Sequence, residues 1–286
     1  MRWAPKSSAG DGKPAQTRFC KSWAIKGVPE KAMGLPGCNK LCIYPVYLSN
    51  ADSSLEISQT LFPITICRMC SHYQAVSETK RLEKYFGVRV SEPVGKIDIW
   101  PGYLGSFIRL HPHADLDDEA VPPTECLPGL FGLIPHWSAD TKTVRHTFNA
   151  RSETASQKPS FRDAWKRSQH CIIPADAIYE PDWRSGKAIS TKISRIDGEP
   201  LGIAGLWSSW KSGKGEAVLS FTMLTINAQK HSLMQQFHKP ADEKRMVVVL
   251  PPDRYQDWLK AKPEQSMGFM QMFPADRLES AVAKPM

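Results

Sequence analysis

The sequence predicts an α+β domain built on antiparallel β-sheet or a barrel, with short helices, over residues 70–286. Three observations predict it. Apolar runs of strand length outnumber helical stretches, several connections between them are short, and no repeat recurs at a spacing of 20–50 residues.

Taken in order, residues 78–86 place Leu82, Tyr85 and Phe86 at helical spacing, and Gly87 follows as a stop signal. Short apolar runs come next at 88–90, 97–100 and 107–110. The stretch 130–137 carries Pro135, which argues for a loop or a strand end. Residues 160–167 predict a helix with Phe161, Ala164 and Trp165 on one side. Strands are predicted at 171–173, 187–196, 201–207 and 217–226, a helix at 231–237, and an apolar strand at 246–250. A closing helix spans 252–260, with proline in its first turn.

The first 69 residues differ from this pattern. Residues 1–68 hold nine Lys/Arg against four Asp/Glu and four of the seven cysteines, with no sustained periodicity. Such a segment is expected to be poorly ordered. It has no apolar run of membrane-span length and no secretory h-region. Its few acidic residues suit a mitochondrial presequence, but no Arg-rich amphipathic helix appears. Cys38 and Cys42 have no second pair at zinc-finger spacing, so no metal site is expected. The whole chain has a net charge of +8, of which the extension supplies the larger share. The domain is only mildly basic, and charge alone says little about nucleic acid. Cys70, Cys126 and Cys171 are an odd number without framework spacing, which fits a reducing cytoplasm.

Cys70 directly follows Met69. If translation starts at Met69 and the methionine is removed, Cys70 carries a free α-amine beside its thiol. Their ordinary pKa values, about 8 and about 8.5, make both available as nucleophiles near neutrality. Together they can condense with an aldehyde, first to an imine and then to a five-membered thiazolidine. An internal cysteine cannot do this, because its nitrogen is part of an amide. We therefore expect Met69 to be the natural start, ahead of a domain at 70–286.

Polar clusters surround this chemistry. Asn149, Arg151 and Glu153 lie in one segment, Glu180 ends the run 171–180, and His238 and Arg245 flank the apolar strand at 246–250. Singly each has an ordinary explanation: a turn asparagine, a strand-end carboxylate, a surface histidine. Jointly they offer what imine formation needs. A carboxylate or imidazole can move protons at the carbinolamine oxygen, an arginine and an amide can hold phosphates, and an exposed tryptophan such as Trp137 can stack a base. A core position for Trp137 is equally open.

The sequence resembles the SOS-response-associated peptidase (SRAP) family, also called abasic-site processing proteins, over about residues 69–275. The resemblance rests on the Met69-Cys70 start, GLIPHW (132–137), NARSET (149–154), FRDAW (161–165), CIIPADAIYE (171–180), GIAGLW (202–207), MLTINA (223–228) and FHKPADEKRM (237–246). It implies a single compact domain that traps the aldehyde of an abasic site in single-stranded DNA as a thiazolidine, in the DNA damage response, after removing its own methionine. Carried over by motif, Cys70 is the covalent nucleophile, with Asn149 beside it. Glu180 is the proton-transferring carboxylate and His238 the site histidine. Arg151, Trp137 and Arg245 are the expected DNA contacts. No metal, cofactor or membrane is implied, and a monomer on the cytoplasmic nucleoid is expected. The family's usual Met-Cys-Gly-Arg start is Met-Cys-Ser-His here, and the segment between His238 and Arg245 is longer. Two other readings use the same residues: an N-terminal-nucleophile peptidase acting on peptides, and a non-covalent single-strand binder in which Cys70 is incidental.

Overall fold

A computed structural model describes residues 72–90, 96–114 and 121–283. Along the chain the strands are β1 (His72–Ala75), β2 (Asp98–Ile99), β3 (Leu104–Leu110), β4 (Thr124–Phe131), β5 (Asn149–Arg151) and β6 (His170–Asp182). They continue as β7 (Ile189–Arg195), β8 (Leu201–Lys211), β9 (Ala217–Asn227), β10 (Arg245–Val247), β11 (Val249–Leu250) and β12 (Leu278–Val282). The helices are α1 (Thr79–Phe86), α2 (Ser152–Ala155), α3 (Arg162–Lys166) and α4 (Tyr255–Lys260).

Five strands close a ring. β8 pairs with β9, β9 with β4, β4 with β3, β3 with β6, and β6 returns to β8. Closure removes the exposed sheet edges that would otherwise seek partners. Apolar side chains fill the interior, among them Phe107, Phe131, Ile172, Ile203, Phe221 and Met223. Most pairings are antiparallel, as expected. β9 departs from this, taking both β4 and β5 in parallel register. β1 extends the sheet from β6, opposite His72↔Tyr179 and Tyr73↔Ile178. Tyr73 is fully buried and meets Phe131 edge-on at 5.2 Å.

Helix α1 ends where expected. Gly87 takes the left-handed conformation (φ 67°), and its N–H caps the Glu83 carbonyl at 3.0 Å. Gly132 is needed for a different reason: φ is 120°, and any Cβ would strike the Val144 backbone. Phe161, Ala164 and Trp165 are buried around α3 as their spacing predicts.

Several expectations need correction. The run at 88–90 forms no strand. The strand expected at 171–173 is the first part of β6, which continues through Pro174 and Pro181 to Asp182. The helix expected at 231–237 is one 3₁₀ turn at Met234–Gln236. His231 explains this, because its Nδ1 accepts the Met234 N–H at 3.0 Å while its Nε2 donates to the Phe273 carbonyl at 2.7 Å. The single strand expected at 246–250 is split between β10 on β9 and β11 on β8. Val248 sits between them, donating to Leu224 O and accepting from Ala204 N, both at 2.9 Å. No helix among the described residues is long and apolar enough to cross a membrane.

Candidate active site

Near its C-terminal end β6 delivers Glu180 inward. Its carboxylate lies 3.1 Å from His238 Nε2, and the two residues are only 2 % and 3 % exposed. His238 reaches it from an unusual backbone, with φ 65° and its N–H bonded to Pro181 O at 3.0 Å. That conformation costs energy in a non-glycine residue and persists only where its surroundings over-determine it. Lys244 supplies the constraint. Its ammonium donates to the carbonyls of Phe237, His238 and Lys239 at 2.9, 3.1 and 2.8 Å. The longer segment before Arg245 is therefore a loop folded over one lysine. Burial disfavours the His238 imidazolium, but the hydrogen bond to Glu180 and its charge outweigh burial, and the His238 pKa is raised above its usual 6.5.

Strand β1 brings the N-terminal side of the domain to the same place. Cys70 lies outside the described residues, and His72 is the first residue described. His72 stands opposite Tyr179, the neighbour of Glu180. Its ring is sandwiched between Tyr179 (centroids 4.1 Å apart, planes 8° apart) and Trp100 (4.3 Å, 9°). His72 Nε2 also meets Asp98 Oδ1 at 3.0 Å. Burial outweighs Asp98 and lowers the His72 pKa, so the ring is neutral near pH 7. The histidine in place of the family's arginine is thus a stacked, buried ring.

The segment 149–151 is strand β5, parallel to β9 with Asn149 opposite Met223. It is not the turn that Asn149 alone would suggest. Arg151 is exposed, but its guanidinium is paired with Glu243 at 2.7 Å. The other oxygen of Glu243 binds Arg245 NH1, also at 2.7 Å. Arg245 is 2 % exposed and is further held by Glu153 at 2.7 Å and the Thr225 carbonyl at 2.8 Å. A buried guanidinium with its donors occupied cannot reach a phosphate. The expected DNA contact at Arg245 is corrected: it is the post that anchors β10, α2 and Glu243.

Trp137 is 52 % exposed, on the loop after β4, its indole N–H directed at Pro159 O at 3.4 Å. The core alternative for this residue is set aside. Cys126 and Cys171 are the two cysteines among the described residues. Burial, opposed weakly by a hydrogen bond from Ser106, pushes Cys126 to about 11, and burial raises Cys171 as well. Neither offers a thiolate near neutrality.

The structure thus unites Glu180 with His238, and Arg151 with Arg245 through Glu243. It keeps Trp137 apart on its own loop. Sequence reasoning missed His72, Trp100, Glu243 and Lys244. A signal existed for Trp100: Trp-Pro-Gly-Tyr at 100–103 is a type II turn signature.

The family model described as SOS response associated peptidase (SRAP) matches residues 69–284. The chain is 34 % identical over 158 residues to the Bacillus subtilis abasic site processing protein YoqW, covering 52 % of this chain and 65 % of that protein. It is 26 % identical over 154 residues to the rat abasic site processing protein HMCES, covering 44 % and 42 %. The chain therefore spans about two thirds or less of the length of the curated relatives it matches. A crystal structure of a Bordetella bronchiseptica protein superposes with a TM-score of 0.67 at 46 % identity, over 76 % of this chain and all of that one. A Bacteroides thetaiotaomicron structure at 19 % identity, with a TM-score of 0.63, shares the fold.

Proposed function

The chain belongs to the SOS response associated peptidase family, and from that premise we propose that it processes abasic sites in single-stranded DNA through Cys70. The observation that carries the proposal is the buried Glu180–His238 pair beside the His72↔Tyr179 register. Two peptide units tether Cys70 to His72, so whatever its conformation it stays within about 7 Å of it, Cα to Cα. His72, the first described residue after Cys70, pairs in turn with Tyr179, the neighbour of Glu180.

The chemistry follows from those groups. The Cys70 amine attacks the ring-opened aldehyde carbon, giving a carbinolamine. Glu180 protonates its hydroxyl, water leaves, and an imine remains. The thiol then adds to the imine carbon and its proton passes to the nitrogen, closing the thiazolidine with net loss of one water. His238, with its raised pKa, passes Glu180 the proton used in the loss of water and takes back the one the nitrogen loses as the imine forms. Arg151 holds a phosphate after exchanging Glu243 for it, and Trp137 stacks a base. Removal of Met69 is the preceding step: one water hydrolyses the Met69–Cys70 amide, and the cleavage releases that amine. The names of the relatives support the substrate class.

The test is intact mass spectrometry of the protein matured in cells, followed by incubation with an abasic single strand. A mature N-terminus at Cys70 and a heat-stable adduct lighter by one water than the sum of its parts are expected. A protein that keeps residues 1–69 and still crosslinks would overturn the assignment of the amine. Hydrolysis of unrelated peptides without any DNA adduct would favour a peptidase instead.

A further inference from the structure

We propose that Trp100 is a second stacking platform, which takes the nucleobase next to the lesion and makes the reaction depend on its identity. The inference rests on the abasic-site reading above and adds a specificity-determining residue to it.

Three observations lead there. First, Tyr179, His72 and Trp100 form one column of nearly parallel rings, with centroids 4.1 and 4.3 Å apart and planes within 9°. Its inner end is covalently next to Glu180, and its middle ring is two residues from Cys70. The column therefore stands on the paired strands β1 and β6 that carry these positions, with Tyr179 and Glu180 leaving opposite faces of β6. Second, its outer end is wet: Trp100 remains 37 % exposed. Stacked rings prefer further parallel π-faces, and every base offers one. Third, the outer end is rigid and carries a cation. Trp100 and Tyr103 are the first and last residues of a tight turn, with the Tyr103 N–H on Trp100 O at 2.9 Å and Gly102 at φ 87°. Lys96 lies over the Tyr103 ring at 4.7 Å, and Tyr103 is itself exposed. Aromatic faces with an interleaved ammonium suit a single strand, whose bases stack and whose phosphates need a counter-charge. A protein ligand would need a larger apolar area than these two rings present.

An abasic site has no base of its own, so it gives an aromatic column nothing to stack. Its neighbour does. A larger π-face gains more, and a purine neighbour is preferred over a pyrimidine, with an abasic spacer least favoured.

The experiment uses the full chain as cells mature it. Single-turnover crosslinking is measured on strands whose 5′ or 3′ neighbour is adenine, thymine or a tetrahydrofuran spacer. Wild type is expected to react about 5- to 150-fold better with adenine than with the spacer on one side, the span of one base–aromatic stack. Trp100→Ala should erase that ratio, which is read against its own rate on the spacer strand. Trp100→Phe should keep most of the ratio. In parallel, 2-aminopurine at the same neighbour should be quenched on binding wild type and not on binding Trp100→Ala. A wild type indifferent to the neighbour, or a ratio that survives Trp100→Ala, overturns the proposal while leaving the crosslinking reading intact. Absence of any adduct overturns the crosslinking reading, and 2-aminopurine quenching then still decides whether Trp100 holds a base. If Trp100→Ala does not fold, the wild-type neighbour ratio and Trp100→Phe carry the decision.

Discussion

Glu180 and His238 face each other at 3.1 Å inside the protein, and the histidine arrives there on a left-handed backbone. Both are buried, so a change in either leaves the other without its charge partner and alters the stability profile.

Glu180→Gln should slow crosslinking by about 10²–10⁴-fold, the usual contribution of one positioned proton donor, while affinity for intact single strands holds steady. The same variant tests the pH dependence. The folded His238 pKa is raised above the unfolded 6.5, so its stabilising contribution is complete below pH 6.5 and fades as pH rises through the raised value. Melting temperatures from pH 6 to 9 should fall on that limb for wild type and stay flatter for Glu180→Gln. Equal rates and parallel melting curves would remove Glu180 from the site.

His170 works in the opposite direction and in a different window. Its ring packs at a tilt against Trp258, with centroids 4.0 Å apart, and bonds Ser266 at 3.0 Å, and burial lowers its pKa to about 4. The unfolded chain, at 6.5, binds that proton sooner, so stability drops as pH falls from 6.5 toward 4, by on the order of 3 kcal/mol. Denaturant unfolding at pH 7 and pH 4.5 should show a smaller difference for His170→Gln than for wild type.

Arg151 and Arg245 share Glu243 but should separate cleanly. Arg151→Ala is expected to flatten the dependence of single-strand affinity on salt by about 0.7 in log–log slope, one phosphate's worth. Arg245→Ala should leave the slope unchanged and cost about 3 kcal/mol of stability, since it removes the charge that holds two carboxylates. Titrations at four salt concentrations, beside thermal melts, check both. A flattened slope in Arg245→Ala would return that residue to the DNA path.

Trp137→Ala should weaken single-strand binding by about 1–3 kcal/mol with the salt slope intact. Because the side chain is more than half exposed, the melting temperature should barely move. A variant that unfolds would mark Trp137 as structural.

Cys70→Ser keeps the amine and loses the thiol. It should give an adduct that survives only after borohydride reduction, because an imine forms and no ring closes. Cys70→Ala should behave the same way. A stable adduct without reductant from either one would show that the thiol takes no part.

Of the ring, β8 and β9 were legible because they repeat apolar residues over strand lengths, while β4 was read only where it ends, at 130–137; α1 was legible through Gly87. What escaped notice was set by distant partners. β6 runs on through Pro174 and Pro181, against the local expectation for proline, because β8 and β7 pair with its successive parts. The short strand β5 exists only because β9 lies beside it. In the site, the glutamate–histidine juxtaposition was visible as two motif residues, while its geometry was not. Nothing local announces that Lys244 will collect three carbonyls, or that Glu243 will serve two arginines. Arg245 misled for the same reason: a charged residue beside an apolar run suggests surface, and burial came from Glu153, 92 positions upstream.

The parallel seam between β4 and β9 also fixes an order of events during synthesis. The ring cannot shut until β9 has left the ribosome, and His238 follows later still. At roughly 5–20 residues per second, β1 waits many seconds in the open before Glu180 acquires its partner. Any enzyme that trims the chain near β1 before then acts on an unfinished barrel, and Glu180 meets His238 only afterwards. The late strand is in this sense a timer: the ring stays open until translation of the final quarter is under way.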